Sequence, residues 1–471
     1  MSRAPLWRWA ELRAALRADG PETGPDVTGV SLDSRSLEPG DLFFALSGGP
    51  DPRYRGAAGS GRDGHDFVAD AAAAGAPAAV VSRPTGAAPA ELRVDDAFDA
   101  LWRLAGAARE RFTAPVFAIT GSAGKTTAKG MLAAALEALC GSVHASAGSL
   151  NNHLGVPLSL GRMPRDAGAA VFEIGMNSPG EIAPLSRLVR PDVVAVLNVM
   201  GVHLEGLGSL EAIRREKLSI TAGLGAEGVL VVHDEVDVHD LPPGLRRVTF
   251  GRSEAADVRL LDEGHPNARP AVELRLPDGR TLTAAQLADG PHRRMTACGV
   301  LACLCAAGLD PAPALPAIEA LAPPPGRGGR FEAGGVTVVD DSYNANPVSV
   351  RQAIAGLFER PGAGRWALLA DMLELGPDEA ALHAGLAEVC TGLDGVFCVG
   401  PLVRRLHDAL PPDRRAGWWP DCDALEVDAV LARVAPGDVL LVKGSNRFFW
   451  KHGTVETLAR ALEARARELS P

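Results

Sequence analysis

Positive charge is in short supply in this chain: 47 Lys and Arg stand against 58 Asp and Glu, a formal net charge of −11. Phosphate backbones need basic patches, so a broad nucleic-acid surface is excluded. Pairs such as Arg214-Arg215 and Arg246-Arg247 read as solvated faces. Long apolar runs are missing too, and none reaches the ~20 residues of a membrane helix. The nearest, Ala71 to Val81, is rich in small residues, contains Pro77, and reads as a packed helix running into a strand. The start, Met1 to Asp19, mixes Trp7, Trp9, Glu11 and Arg13 and has no signal-peptide core. Cysteine lacks ligand spacing. There are seven, an odd number, and Cys303-Leu304-Cys305 has no second Cys or His pair nearby, so they read as buried thiols. A reduced, cytoplasmic enzyme is expected.

What is present is a chain of 471 residues with 46% apolar content. That is too long for one core and ordinary for a globular protein of several domains. Its most informative stretch is Ala118-Ile119-Thr120-Gly121-Ser122-Ala123-Gly124-Lys125-Thr126-Thr127. An apolar run, Pro115 to Ile119, precedes it and a helix-forming segment, Ala128 to Leu139, follows. A strand, a glycine turn ending in Lys-Thr and a helix make a phosphate cradle. The glycines let backbone N–H groups face an anion, the helix N-terminus adds a favourable dipole, and Thr126 can offer a hydroxyl to Mg²⁺. The first glycine of the full Walker spacing is replaced by Ile119. A nucleoside triphosphate is the expected ligand.

Three blocks follow from the pattern of strands, helices and breakers. The first runs to about Phe112 and contains a glycine- and arginine-rich loop, Gly48 to Gly64. The second carries the phosphate loop and buried-strand candidates Ala169–Ile174, Val193–Val199 and Gly228–His233. The run Pro323-Pro324-Pro325-Gly326-Arg327-Gly328-Gly329 is the best linker in the chain. The third block repeats the alternation, with strands expected at Val336–Val339, Trp366–Ala370, Gly395–Val399 and Val439–Val442. Its helices are expected at Ser349–Phe358, Glu379–Cys390 and Val455–Leu469. Apolar strands alternating with helices imply an α/β protein built on largely parallel sheets.

Several further groups suit chemistry. Asn151-Asn152-His153 is a polar turn that Asx geometry alone can explain. Glu173 ends an apolar strand, where α/β sheets place ligand-binding groups. It can hold Mg²⁺ there, or cap the helix starting near Pro179-Gly180-Glu181. His203 lies just past the next strand end, and Lys217 stands within a helix-like Leu210 to Thr221, where a lysine is ordinarily solvated.

Taken together, Thr120–Thr127, Asn151–Pro157, Glu173–Asn177, His203–Ser209 and Lys217 resemble the Mur ligases, ATP-dependent amide-bond-forming enzymes of peptidoglycan synthesis. Asp340–Pro347, Asp371–Gly376 and Leu441–Ser445 extend the resemblance, as do Asp33-Ser34-Arg35 and Asp63–Phe67. Within the family these segments imply a UDP-linked muramoyl tripeptide as acceptor and D-alanyl-D-alanine as amine. The resemblance implies three domains: an N-terminal UDP-substrate domain over 1–112, a central P-loop ATPase-type parallel-sheet domain over 113–325, and a C-terminal Rossmann-like domain over 326–471. It implies ATP on Gly121, Ser122, Ala123, Gly124, Lys125, Thr126 and Thr127, met by Arg330, Asp341 and Asn344 from the third domain. Two Mg²⁺ ions are implied, the first on Thr126 and Glu173 and the second on His203, with Lys217 carbamylated as an anionic oxygen ligand. Lys125, His203 and Lys217 would carry the catalysis, and Ser34, Arg35, Asn151 and Asn152 would hold the acceptor. The implied partners are small molecules, without nucleic acid or membrane insertion, and a monomer is the expected state.

Three departures leave a paralogue with another carboxylate and amine as the alternative. Arg293 and Thr296 stand where the family usually places asparagines, one of which contacts adenine. Leu218-Ser219 follows Lys217 in place of a small residue and an acid. Asn446-Arg447-Phe448-Phe449-Trp450-Lys451-His452 replaces a short basic stretch ending in Met. Its aromatics read as packing before substrate contact.

Overall fold

The computed structural model describes residues 4–49, 61–201, 207–262, 272–284, 287, 290–358 and 362–469. Most of the glycine- and arginine-rich loop, residues 50–60, lies outside this set, and so does His203. The described residues form three sheets. The first has four parallel strands in the order β1 (Gly29–Ser31), β2 (Asp41–Phe44), β3 (Ala78–Val81) and β4 (Glu91–Arg93).

The second sheet begins with β5 (Val116–Thr120), β6 (Val143–Ala145), β7 (Ala169–Glu173), β8 (Val193–Val196) and β9 (Val229–His233). It continues through β10 (Arg246–Gly251), β11 (Val258–Asp262), β12 (Val272–Arg275) and β13 (Thr281–Ala284). Its spatial order is β13-β12-β11-β10-β9-β8-β5-β7-β6. The strands from β6 to β11 run parallel, and β12 and β13 add an antiparallel hairpin at one edge. The chain leaves β5 for β7 and β6 on one side and returns to β8 on the other. That reversal opens a crevice at the carboxyl ends of β5, β7 and β8, where open α/β sheets bind ligands. All five residues of β5 are buried, as expected of a strand covered by helices on both faces.

The third sheet comprises β14 (Gly329–Ala333), β15 (Val336–Asp341), β16 (Arg365–Ala370), β17 (Gly395–Val399), β18 (Arg415–Trp419) and β19 (Val439–Lys443). Its order is β14-β15-β19-β16-β17-β18, with only the β14/β15 pair antiparallel.

The cores divide unevenly. One apolar cluster runs without a break from Trp7, Leu42 and Leu104 in the first unit to Val116, Phe172 and Val232 of the second. Polar contacts reinforce it: Trp7 donates its indole N–H to the Gly161 carbonyl at 2.8 Å, and Arg162 Nε donates to the Val30 carbonyl at 2.6 Å. The third unit keeps two clusters of its own, one on each face of its sheet. Among the described residues no helix is long and apolar enough to cross a membrane.

Most expected elements fall within a residue or two of their observed bounds. Two expectations change. The predicted helix Glu379–Cys390 is two short ones, Glu379–Ala384 and Ala387–Cys390, separated at Gly385-Leu386. The helix after the phosphate loop starts at Lys125, not Ala128, because Gly124 at φ +80° supplies the left-handed turn immediately before it.

Candidate active site

The phosphate loop leaves β5 into the crevice and its backbone is fixed by the loop after β8. Asn198 Oδ1 accepts from the Ala123 N–H at 2.9 Å, and Asn198 Nδ2 returns a bond to the Ala123 carbonyl at 3.2 Å. The Ser122 hydroxyl donates to the Met200 carbonyl at 3.1 Å and accepts from the Met200 N–H at 2.9 Å. Lys125 folds back so that Nζ donates to the Gly121 carbonyl at 2.8 Å. Burial pushes its amine down, Glu173 opposes that, and Arg327 adds to it. Open amides at a helix N-terminus beside a lysine make an anion site.

Glu173, 1% exposed, ends β7 directly behind this loop. Its Oε2 accepts from the Thr126 hydroxyl at 2.9 Å and its Oε1 from Asn151 Nδ2 at 2.7 Å. The helix-cap reading of Glu173 does not hold. The amides of Gly180 and Ile182, at the start of helix Ile182–Val189, are met by the Glu216 carboxylate at 2.8 and 2.9 Å. A hydroxyl and a carboxylate side by side at the edge of a phosphate cradle form an all-oxygen donor set that suits Mg²⁺.

Lys217 sits in helix Leu210–Leu218, whose N-terminus Ser209 caps through the Ala212 N–H at 3.1 Å. It is 2% exposed, against the habit of helix lysines. Desolvation and then the charge of Lys125 push its amine well below the ordinary 10.5, with Glu216 acting in the other direction. The uncharged amine that carbamylation requires is thereby favoured.

The opposite wall comes from the third unit. Asp341 and Lys443 are register partners on the adjacent parallel strands β15 and β19, so the sheet itself sets their ion pair at 2.6 Å. Lys443 also donates to the Asn344 carbonyl at 2.9 Å. These groups face the phosphate loop across a cleft of about 1070 Å³. Arg327, from the linker, also lines it. Its guanidinium lies 4.2 Å from the Tyr343 ring centre and donates to the Ser149 hydroxyl at 3.3 Å, which Tyr343 also reaches at 3.3 Å. Trp450 packs edge-on to Tyr343 at 5.4 Å.

Arg330 requires a correction. It lies exposed on β14 and is not among the cleft-lining residues; Arg327, three positions earlier, is, alongside Arg252 and Arg293. The antiparallel β14/β15 pairing starts at Gly329, so residues from there on belong to the sheet and those before it to the linker at the cleft. Asn151 and Asn152 do line the cleft, but both are engaged. Asn151 holds Glu173, and Asn152 Oδ1 accepts from the Leu154 and Gly155 amides at 3.1 and 2.9 Å. Arg293 donates to the Leu321 carbonyl, and the Thr296 hydroxyl donates to the His292 carbonyl at 2.8 Å.

Ser34 and Arg35 stand apart from this cleft, at the carboxyl edge of the first sheet. Arg35 forms a two-pronged pair with Asp33 at 2.9 and 2.6 Å. Sequence reasoning assigned no role to His65 on the same edge. Its Nδ1–H donates to Asp63 at 2.6 Å while Nε2 accepts from the Ser82 N–H at 2.9 Å, which fixes the tautomer. The His65 amide, followed by the His65 ring and Arg83, holds the Asp63 carboxyl down at about 2 against its partial burial. Lys129, Asn198, Arg327 and Lys443 were also passed over. Each lay inside a quoted or adjacent segment, but only the fold brings it to the site.

Residues 119–266 match the Mur ligase middle domain and residues 326–446 the Mur ligase glutamate ligase domain. The UDP-N-acetylmuramoyl-tripeptide–D-alanyl-D-alanine ligase of Escherichia coli K12 is 35% identical over 461 residues, covering 94% of this chain and 96% of that protein. A crystal structure of MurF from Acinetobacter baumannii superposes with a TM-score of 0.82 at 28% identity, over 97% of this chain and all of the other. The MurF ligase of Thermotoga maritima in complex with ADP gives 0.78 at 28% identity, over 93% of this chain and 99% of the other. On this sequence and fold similarity across nearly its whole length, the chain belongs to the Mur ligase family.

Proposed function

We infer that this protein is an ATP-dependent ligase that adds D-alanyl-D-alanine to UDP-N-acetylmuramoyl-tripeptide in peptidoglycan precursor synthesis. The carrying observation is near-full-length similarity to that ligase, joined to a cleft with a phosphate cradle on one wall and Asp341, Asn344 and Lys443 on the other. The tripeptide's terminal carboxylate attacks the γ-phosphorus of ATP, the bond to the β-phosphate oxygen breaks, and ADP leaves an acyl phosphate. The dipeptide amine, having lost a proton, then attacks the acyl carbon, and inorganic phosphate departs from a tetrahedral intermediate. A carboxylate is a poor electrophile because oxide would have to leave; phosphorylation supplies a better leaving group. Mg²⁺, when bound, offsets the repulsion between carboxylate and triphosphate.

The chain's own groups take these parts. The loop Gly121 to Thr127 holds the phosphates, through its backbone amides from Gly124 onward, because Asn198 takes those of Ser122 and Ala123, and Lys125 swings from the Gly121 carbonyl to them. Thr126 and Glu173 hold the first metal ion, and His203 and a carbamylated Lys217 contribute to a second. Arg327 is the linker's cation for the phosphates, and Asp341 and Asn344 close on the nucleotide. Residues 1–112 take the UDP end through Ser34 and Arg35, residues 113–325 carry the ATP chemistry, and residues 326–471 receive the dipeptide. Both substrates are water-soluble precursors, and we assign the reaction to the cytoplasm. Closure of the third domain would keep the acyl phosphate from water.

Carbamylation joins neutral Lys217 Nζ to the carbon of CO₂. One C–O π bond opens to a carboxylate and a proton leaves the nitrogen. Lys217→Ala should lose activity, and short-chain carboxylic acids should partly restore it; full activity in that variant would remove the assignment. The activity itself is tested by phosphate release with UDP-N-acetylmuramoyl-tripeptide, with and without D-Ala-D-Ala, reading the product mass. A UDP-pentapeptide formed only with the dipeptide is expected. Release without any amine would instead indicate a simple ATPase.

A further inference from the structure

Lys129 lies one turn beyond Lys125 on the phosphate-loop helix and has no part in the reaction described above. Its side chain is 7% exposed. Its ammonium donates to the Gly148 carbonyl and stands 3.6 Å from Glu173 Oε2, the same oxygen that accepts from Thr126. Glu173 thus already has a cation on the oxygen it shares with Thr126. Among the described residues no group of three or more His, Cys, Asp and Glu could hold a metal ion. Lys125 also interacts with this carboxylate, and Arg327 lies near enough to repel both lysines.

We propose that Lys129 is a positioning residue that makes metal binding conditional on nucleotide. Without nucleotide, Lys129 serves as the counter-cation of Glu173 and keeps its carboxylate aimed at Thr126. A divalent ion arriving alone meets a carboxylate, Glu173, that already faces the Lys129 cation, and like charges at such range repel strongly away from bulk water. An ion arriving with the triphosphate brings compensating negative charge with it. The Gly148 carbonyl holds Lys129 in place, so the lysine yields little room to a lone ion. Loading then proceeds as a metal–nucleotide complex, and a dead-end metal-only enzyme is avoided. The inference rests on Glu173 and Thr126 being the metal-holding pair.

The test uses Mn²⁺ as a paramagnetic stand-in and the full-length protein. Free Mn²⁺ is followed by electron paramagnetic resonance during titration of nucleotide-free wild type, Lys129→Gln, and the Lys129→Gln/Glu173→Gln double variant. Glutamine keeps a donor for the Gly148 carbonyl and removes the charge. Lys129→Gln should bind Mn²⁺ at least about tenfold more tightly than wild type, and the double variant should lose that gain. Equal weak binding by wild type and Lys129→Gln would overturn the role of the lysine. A second measurement needs no variant: calorimetric binding of a non-hydrolysable ATP analogue to wild type, with and without Mn²⁺. If Mn²⁺ alone binds wild type as tightly as it binds alongside the analogue, the proposal fails whatever the variants do. If Mn²⁺ binding alongside the analogue is the same in wild type and in the variant lacking the Glu173 carboxylate, the metal-holding assignment itself falls and takes the proposal with it.

Discussion

A lysine buried to 2% exposure is an expense to the fold, and Lys217 carries it in full. Its amine is held well below 10.5, chiefly by desolvation and next by Lys125. The unfolded chain therefore binds this proton more tightly than the native one. Stability contributed by the site rises with pH across the window from the depressed native value up to about 10.5, and is lowest where the unfolded lysine is fully charged. Replacing it by Met, which fills similar volume without charge, should raise the thermal midpoint by several degrees at neutral pH in CO₂-free buffer. The gain should shrink as pH approaches 10.5. A gain independent of pH, read from melts across that range, would show that packing and not the amine is responsible. Glu173 carries a related lesson. Its position at the end of an apolar strand was legible in sequence, whereas its partners Thr126, Asn151 and Lys129 come from segments 47, 22 and 44 residues away and required the fold.

At the scale of elements, the buried parallel strands could be read directly, because a strand covered on both faces is apolar throughout, as in β5, β7 and β17. What escaped notice was the half-exposed periphery. Strand β10 reads Arg-Arg-Val-Thr-Phe-Gly, and the β12/β13 hairpin alternates exposed and buried residues over only four positions each. Their pairing, not their composition, makes them strands. The N-terminal helix Trp9–Leu16 shows how elements join the first two units. Trp7 just before it is 2% exposed, donates to Gly161 across the interface, and lies under the Arg111 guanidinium at 3.5 Å. Trp7→Ala should cost about 3–5 kcal/mol. Because one apolar cluster spans both units, calorimetry should show their shared transition moving down together while that of the third unit stays in place. A shift confined to a separate N-terminal transition would contradict the continuous core.

For the whole molecule, the linker joins the third unit to the second, and the proposed closure would turn on it. Gly326 sits at φ +71°, and a Cβ there would meet the Trp450 ring at 2.8 Å and the Tyr343 Cβ at 3.0 Å. Gly326→Val is strained in backbone and in contact. It should displace the Trp450–Tyr343–Arg327 stack and lower turnover by about 10²-fold, since small misplacements of reacting groups carry costs of that size. Nucleotide binding should weaken only by the share that Arg327 contributes, because the phosphate loop itself is untouched. Small-angle scattering offers the direct check: wild type should contract on adding ATP analogue and acceptor, and the variant should contract less. Equal contraction with unchanged turnover would separate the linker from closure. The sequence pointed to this hinge by its prolines and glycines but named Arg330 as its phosphate contact. The choice between two arginines three positions apart depended on where β14 begins.

The uneven division of the cores also bears on how such ligases can diversify. The first and second units share one interior, whereas the third closes its own two interiors and meets the rest through the linker, polar contacts at Ser149, and the helix Pro347–Phe358 set against the helix Pro291–Ala306. A recombination joint at the linker leaves every hydrophobic interior intact, and one near residue 112 cuts straight through an interior. Chimeras that exchange the third unit between relatives should therefore fold and acquire a new amine preference, while exchanges of the first unit should fold only when the facing helices travel with it. On the proposed division of roles, lineages built on this plan should be freer to change the amine they join than the nucleotide-linked molecule they extend.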